Sequence, residues 1–447
     1  MTSGIRTLGK PFITFLAAET ASASGAMVTI VALPLIAIEQ LRASAFTIGL
    51  LEALQWLPAA VLGLLLGALV DRSQQRCRSI LVAANFGRML SLGAVPLAAH
   101  LELLTLPVLL VLAFTTGVFT AMAQSAFTPY LRQVIPSAGY ASANGALQAG
   151  RSAARVIGPA VGGLLVALIG ASNTLLFTAG CFLICAVALL TIVGQVAPPP
   201  PPPRRRLAAE IGEGLAVLRS SRILAWITVG AATANLILSA SGALDILYLS
   251  RELDVPSDTI GFVLTAGGVG GLTAALISGK LISRYGLGKV AIFAFLFTAP
   301  TSLLLPATQS SSTVVLFTVG VFTVSFGIAL GGVALMTLRL HFTPPHLQGR
   351  VSSVSQVLNA ATIPVGAILG GMLAQSLGTR PAMLVLAVAY IAFGIAFAFS
   401  PVRTIDPSAA VDQANTSPAS RPNESSDRGT VPTATRSHEQ LGPDPDA

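Results

Sequence analysis

The sequence predicts an all-α integral membrane protein whose twelve transmembrane helices form two pseudo-symmetric six-helix bundles. Three observations predict it. Of 447 residues, 53% are hydrophobic and only 10% are charged, where an ordinary soluble domain carries about 25% charge. The few charges fall between apolar runs that each reach the roughly 20 residues needed to cross a bilayer. The runs also divide into two sets of six that resemble one another at offsets of 207 to 212 residues.

The first run, 11–37, follows Arg6 and Lys10 and so starts like a secretory leader. It is too long for one, and more spans follow. The next five spans read as 45–70, 79–99, 104–130, 141–169 and 173–195, and the second set as 223–250, 259–282, 289–308, 313–339, 351–376 and 381–400. Every connection is short except 196–222. The expected organisation is an N-terminal bundle over 1–195, a linker over 196–222, a C-terminal bundle over 223–400 and a tail over 401–447.

Basic residues set the orientation. With a cytoplasmic N-terminus, seventeen Lys and Arg lie in inside segments and only Arg42, Arg251 and Arg380 lie outside. Both termini are therefore expected in the cytoplasm of a cell-membrane protein. The same distribution accounts for the net charge of +8 without a nucleic-acid partner. In the linker, six prolines at 198–203 precede Arg204, Arg205 and Arg206. Such a run favours a polyproline II rod of about 19 Å, at about 3.1 Å per residue, and the arginines suit an anionic lipid surface. A spacer and a ligand for a proline-binding partner both remain open. From Pro401 onward, seven acids, four arginines and many Pro, Ser and Thr residues give too little apolar area to fold. Cys77, Cys181 and Cys185 read as small apolar side chains, with no disulfide or metal framework.

Several short motifs recur between the halves. Gly67, Leu69 and Arg72 after the second span return as Gly279, Leu281 and Arg284 after the eighth. Leu131 and Arg132 match Leu338 and Arg339, and Gly162–Gly163 match Gly370–Gly371. Two parallel six-span repeats joined by a linker are the layout of one large transporter architecture. Residues 67–76 (GALVDRSQQR) resemble the loop 2–3 signature of the major facilitator superfamily, with Asp71, Arg72 and Arg76 in register and Gln74 where the signature has glycine. The second copy keeps Gly279 and Arg284 but carries Ser283 where the first has Asp71. Residues 155–163 (RVIGPAVGG) are similar to the helix 5 motif of drug/proton antiporters. Gly349, Arg350 and Ser352, followed by residues 364–371, resemble the bacterial branch of macrolide efflux and siderophore export proteins.

The resemblance covers about residues 10–402 and implies that Asp71 meets Arg132 or the start of the eleventh helix near Arg350, closing the inner face in the outward-open state. A topology determinant without a gating role is the alternative. Pro159 removes a backbone hydrogen bond and bends the fifth helix, while Gly158, Gly162 and Gly163 offer a groove to a neighbour. By resemblance that contact limits leak; plain helix packing is the competing reading.

Charges inside spans cost at least a few kcal/mol unless paired or wetted. The acids are Glu19, Glu52 and Asp245, and the bases Arg88, Arg151 and Arg155. Equal numbers of each sign allow full pairing. In the architecture the sequence resembles, helices 1, 4, 7 and 10 line the cavity, so Glu19 and Asp245 are the expected proton carriers, with Arg155 a substrate or carboxylate partner. Arg88, on peripheral helix 3, is expected to be structural. Apolar burial favours the protonated carboxyl and a nearby arginine opposes it, so alternating exposure can couple proton entry to substrate exit. A permanent Glu19–Arg151 pair is equally open. Trp56, Asn144, Gln148 and Asn235 are expected near a cavity otherwise built from Ala, Leu, Phe and hydroxyls, which suits a bulky amphiphile.

The expected function is secondary active, proton-coupled efflux of a hydrophobic or amphiphilic small molecule such as a drug, antibiotic, secondary metabolite or siderophore. Small-solute uptake and a non-transporting membrane protein are the alternatives. An enzyme is not expected, because His100, His341, His346 and His438 are scattered and no nucleophile constellation appears. No Walker-type loop is present to use ATP. No cofactor or metal is expected, and the protein is expected to act as a monomer in the lipid bilayer with substrate and protons as its partners.

Overall fold

A computed structural model describes residues 9–136, 139–192, 221–344 and 347–404, together with 212, 216, 218 and 219. The proline run, Arg204, Arg205, Arg206 and residues 405–447 lie outside the described residues, and so do the expectations placed on them. Among the described residues there is no strand, and twelve helices are long and apolar enough to cross a membrane.

Their α-helical parts are α1 (Gly9–Leu35), α2 (Ala45–Arg72), α3 (Cys77–His100), α4 (Leu106–Val134), α5 (Tyr140–Ile169), α6 (Ala171–Thr191), α7 (Arg222–Leu247), α8 (Ser257–Tyr285), α9 (Leu287–Leu296, the first part of a span that runs Leu287–Ala307), α10 (Val314–Phe342), α11 (Gln348–Leu377) and α12 (Thr379–Ala398). The expected boundaries shift by only a few residues. The expected eight-residue loop 2–3 is mostly structured: α2 runs through Arg72, and one 3₁₀ turn (Gln74–Arg76) leads into α3. Side-chain caps start two helices, with Ser44 accepting from the Thr47 amide and Ser221 from the Leu224 amide. Near Pro300 the ninth span changes to a 3₁₀ turn (Ala299–Leu303) and resumes as Leu304–Ala307.

The repeat is visible in detail. α1 and α7 each end in a π-turn, Ile36–Gln40 and Tyr248–Glu252, whose equivalent positions differ by 212. Arg42 and Asp254, again 212 apart, both take positive φ, 48° and 49°. Tight turns between α5 and α6, α8 and α9, and α11 and α12 use Gly170, Gly286 and Gly378 at φ 83°, 83° and 89°, where a side chain would be strained. Packing repeats too: α1 on α5 corresponds to α7 on α11, α2 on α4 to α8 on α10, and α3 on α4 to α9 on α10.

The halves join through α5 against α8 and α2 against α11. The two membrane faces are named here by residues on them: the Gly9 face, where α1 starts, and the Arg42 face, between α1 and α2. Near the Arg42 face one apolar cluster runs across both halves, including Leu33, Ile36 and Ile48 with Leu244, Tyr248 and Ile260. Toward the Gly9 face each half has a core of its own. Among the described residues the apolar core is thus continuous between the halves at the Arg42 face and divided at the Gly9 face.

Candidate functional site

The seal depends on glycines. A Cβ on Gly163 in α5 would stand 2.8 Å from the Gly261 Cα in α8, and one on Gly371 in α11 would stand 3.2 Å from the Gly49 Cα in α2. These two crossings are pseudo-symmetric copies. Their partners face inward within each half: Gly162 abuts Val28 of α1, and Gly370 abuts Ala240 of α7. Gly158 lies against Met27, and the Pro159 carbonyl meets Gly261. The GG dipeptides therefore serve two neighbours each, with one glycine seating α1 or α7 and the next seating a helix of the opposite half.

At the Gly9 face the described parts of the loop motif show no contact with the other half. An added Cβ at Gly67, Gly279 or Gly349 would meet nothing within 4 Å, and Arg76 and Arg132 are exposed. Arg284 lies 5.6 Å over the Tyr285 ring. The side chains of Asp71, Arg72 and Arg350 lie outside the described residues.

A cavity of about 440 Å³ opens inside the N-terminal half, between α1, α2, α3, α4, α5 and α6. Glu19 of α1 projects into it, with the side chain 14% exposed, and its Oε2 lies 3.8 Å from Nη2 of Arg151 in α5. The Arg151 guanidinium also sits 4.3 Å over the Phe127 ring of α4, an attraction that strengthens where water is scarce. Arg155 lines the same cavity one turn further along α5 and has no ion-pair partner among the described residues. Its backbone carbonyl lies against Gly268 of α8, so the cavity wall is also part of the seam between halves. Trp56, Met27, Ile30 and Phe182 supply apolar wall, and Gln55, Gln124, Thr116 and Thr120 add polar atoms.

Arg88, expected to be structural, also reaches the lining of this cavity. It is buried on α3, donates to Asn85 Oδ1 at 2.6 Å, and stacks 4.3 Å from the centre of the Phe182 ring. The peripheral position of helix 3 concealed this, because a long arginine reaches between α1 and α6. The sequence signal available was Asn85, one turn earlier on the same face.

The remaining expected residues are dispersed. Asp245 lines a separate pocket of about 190 Å³ in the C-terminal half, together with Ser241, Ser325 and Tyr390. Its Oδ1 is buried and has no hydrogen-bond partner among the described residues. Glu52 of α2 precedes Ala53, which packs with Ala243 and Ala367 across the seam. Full pairing of the six charges does not occur among the described residues, where Glu19–Arg151 is the one ion pair. Asn235 donates to Asn359 at 2.8 Å and ties α7 to α11, while Asn144 and Gln148 are exposed on α5 and do not line the cavity.

Two six-helix repeats, joined at glycine-lined crossings and enclosing a charged cavity within the bilayer span, define a secondary-transporter fold. The chain belongs to the transmembrane secretion effector family of the major facilitator superfamily, whose family model matches residues 8–433. It is a multi-pass membrane transporter and not an enzyme. It is 28% identical to the multidrug efflux pump Tap of Mycolicibacterium fortuitum, over 89% of this chain and 97% of that protein. Among solved structures, the nucleoside transporter NupG superposes with a TM-score of 0.72 at 12% identity, covering 89% of this chain and 100% of NupG. A bacterial homologue of the iron transporter ferroportin in its inward-facing state gives 0.68 at 17% identity, covering 87% and 97%, and its outward-facing state gives 0.56.

Proposed function

We propose that the protein is a proton-coupled exporter of hydrophobic or amphiphilic small molecules that works by alternating access, with the Gly9 face and both termini in the cytoplasm. The observation that carries this reading is the Glu19–Arg151 pair, which lies in a cavity whose wall at Arg155 is also the α5–α8 seam. A ligand or proton that changes this pair acts directly on the contact between the halves.

The sealed Arg42 face and parted Gly9 face correspond to an inward-open state, and the higher score against the inward-facing ferroportin homologue supports it. In this state Glu19 and Arg151 are held together. A proton arriving from outside in the opposite state neutralises Glu19, frees Arg151 and resets the cavity. Release of that proton to the cytoplasm then restores the pair. Aromatic and aliphatic walls with a few amides and hydroxyls fit an amphiphile, in keeping with the multidrug efflux named for Tap. Asp71, Arg72, Arg76, Arg132 and Arg350, with Gly279 and Arg284, are assigned to closing the cytoplasmic face in the outward-open state. Segments 1–195 and 223–400 are the two bodies that rock about the crossings, and the protein acts as a monomer.

Accumulation of a broad panel of fluorescent amphiphilic drugs in expressing cells tests the reading. Lower accumulation than in empty-vector cells, abolished by a protonophore and by Glu19→Gln at equal expression, is expected. No difference across the panel would overturn it.

A further inference from the structure

We propose that a cleft on the outer wall of the C-terminal half, at the Gly9 face, is a binding site for an anionic phospholipid. The cleft has a volume of about 800 Å³ and lies between the end of α8, the start of α9 and the end of α12. It does not open into the cavity of the transport reading and does not depend on it.

Its lining is polarised along the membrane normal. Lys289 stands in the first turn of α9, and Arg403 lies in the 3₁₀ turn after α12, so both sit at the membrane edge. Neither side chain has an ion-pair or hydrogen-bond partner among the described residues, and both are exposed. Deeper in the span Phe293 and Phe297 stack at 5.0 Å and 29°, and Phe399, just past the end of α12, is 77% exposed on the same cleft. The small side chain of Ala398 leaves the space between. No acid occurs in residues 281–299 or 395–404, and among the described residues no carboxylate pairs with either cation. Cations at this face are expected from the topology bias, but an ordinary lipid-facing surface needs no concavity beneath them. An acyl chain in the aromatic cleft with its phosphate between Lys289 and Arg403 satisfies both parts. A zwitterionic lipid carries an ammonium group that these cations repel, so the headgroup should be anionic.

The full chain, purified in detergent and offered equal amounts of phosphatidylglycerol and phosphatidylcholine, is to be examined by native mass spectrometry. Retained phosphatidylglycerol is expected on the unaltered protein. Two cations near a lipid surface together account for roughly thirtyfold in affinity, and Lys289→Ser with Arg403→Ser should remove that preference. Ala398→Trp, which fills the cleft and leaves the charges in place, should displace the lipid as well. Lys10→Ser, which removes a cation from the same membrane face, should leave retention unchanged. Equal retention of the two lipids, or persistence of phosphatidylglycerol in both cleft variants, would overturn the proposal, as would an equal loss in Lys10→Ser.

Discussion

Replacing Gly163 with alanine puts the α5–α8 seal under a direct test. The added Cβ would stand 2.8 Å from the Gly261 Cα and 2.9 Å from its nitrogen, against the 3.5–4.0 Å at which such atoms pack without repulsion. These atoms and the Ser257 carbonyl oxygen, which the Cβ meets first, are all backbone, so none can rotate away and the helices must separate by about 1 Å. Overpacking of this kind typically costs about 1–3 kcal/mol. The cost falls on the state sealed at the Arg42 face and spares the state open there. At 1.4 kcal/mol per decade, the balance should move about fivefold to a hundredfold toward the open state. Ala43, buried at that face, reports the change as a cysteine in a protein lacking Cys77, Cys181 and Cys185. Its labelling by a membrane-impermeant maleimide should accelerate by that factor in Gly163→Ala. Gly371→Ala, whose Cβ clears Gly49 Cα by 3.2 Å, should act in the same direction but less. Gly180→Ala, which would meet nothing within 4 Å, should leave the rate unchanged. Equal labelling rates in Gly163→Ala and Gly180→Ala would refute the reasoning.

Arg251 donates to the Ala43 carbonyl at 3.0 Å across the halves. Arg251→Ala should lose about 1 kcal/mol of seal, read as about fivefold faster labelling of the same cysteine. Asp245→Asn keeps the shape of the side chain and removes a charge whose Oδ1 has no partner among the described residues. Its melting temperature should hold or rise, and a fall of more than about 5 °C would show that the carboxylate is stabilised by a contact. Asn235→Ala breaks the bond to Asn359 and should lower stability by about 0.6 kcal/mol, the typical worth of an interhelical hydrogen bond in a membrane. An unchanged melting temperature would count against a tie between α7 and α11.

The twelve spans were legible because lipid enforces uninterrupted apolar helices, so their lengths and gaps stand in the sequence directly. The repeated Gly162–Gly163 and Gly370–Gly371 pairs were legible as a pattern, but not the division of labour within each pair. Which glycine faces α1 and which faces α8 depends on how the helices turn about their axes, and that is fixed only by the packed whole. The site was legible in part for the same reason. Glu19 with Arg151 follows from charges in neighbouring helices. That Arg88 reaches the cavity lining was not legible, because a helix's position in the bundle does not limit the reach of a long side chain. Asp245 lies in its own pocket because α7 turns that face toward α10 and α12 rather than toward the N-terminal cavity. The two π-turns left no sequence signal beyond their equivalent places in the repeat.

Glu19 is the group on which the proposed proton coupling rests. The purified protein in liposomes, given a fluorescent amphiphilic substrate and an imposed pH gradient, should move the substrate against the direction of proton flow, and dissipating the gradient should stop it. Glu19→Gln should bind the substrate with unchanged affinity and show transport that no longer responds to the gradient. Gradient-driven transport at the unaltered rate in Glu19→Gln would contradict the account.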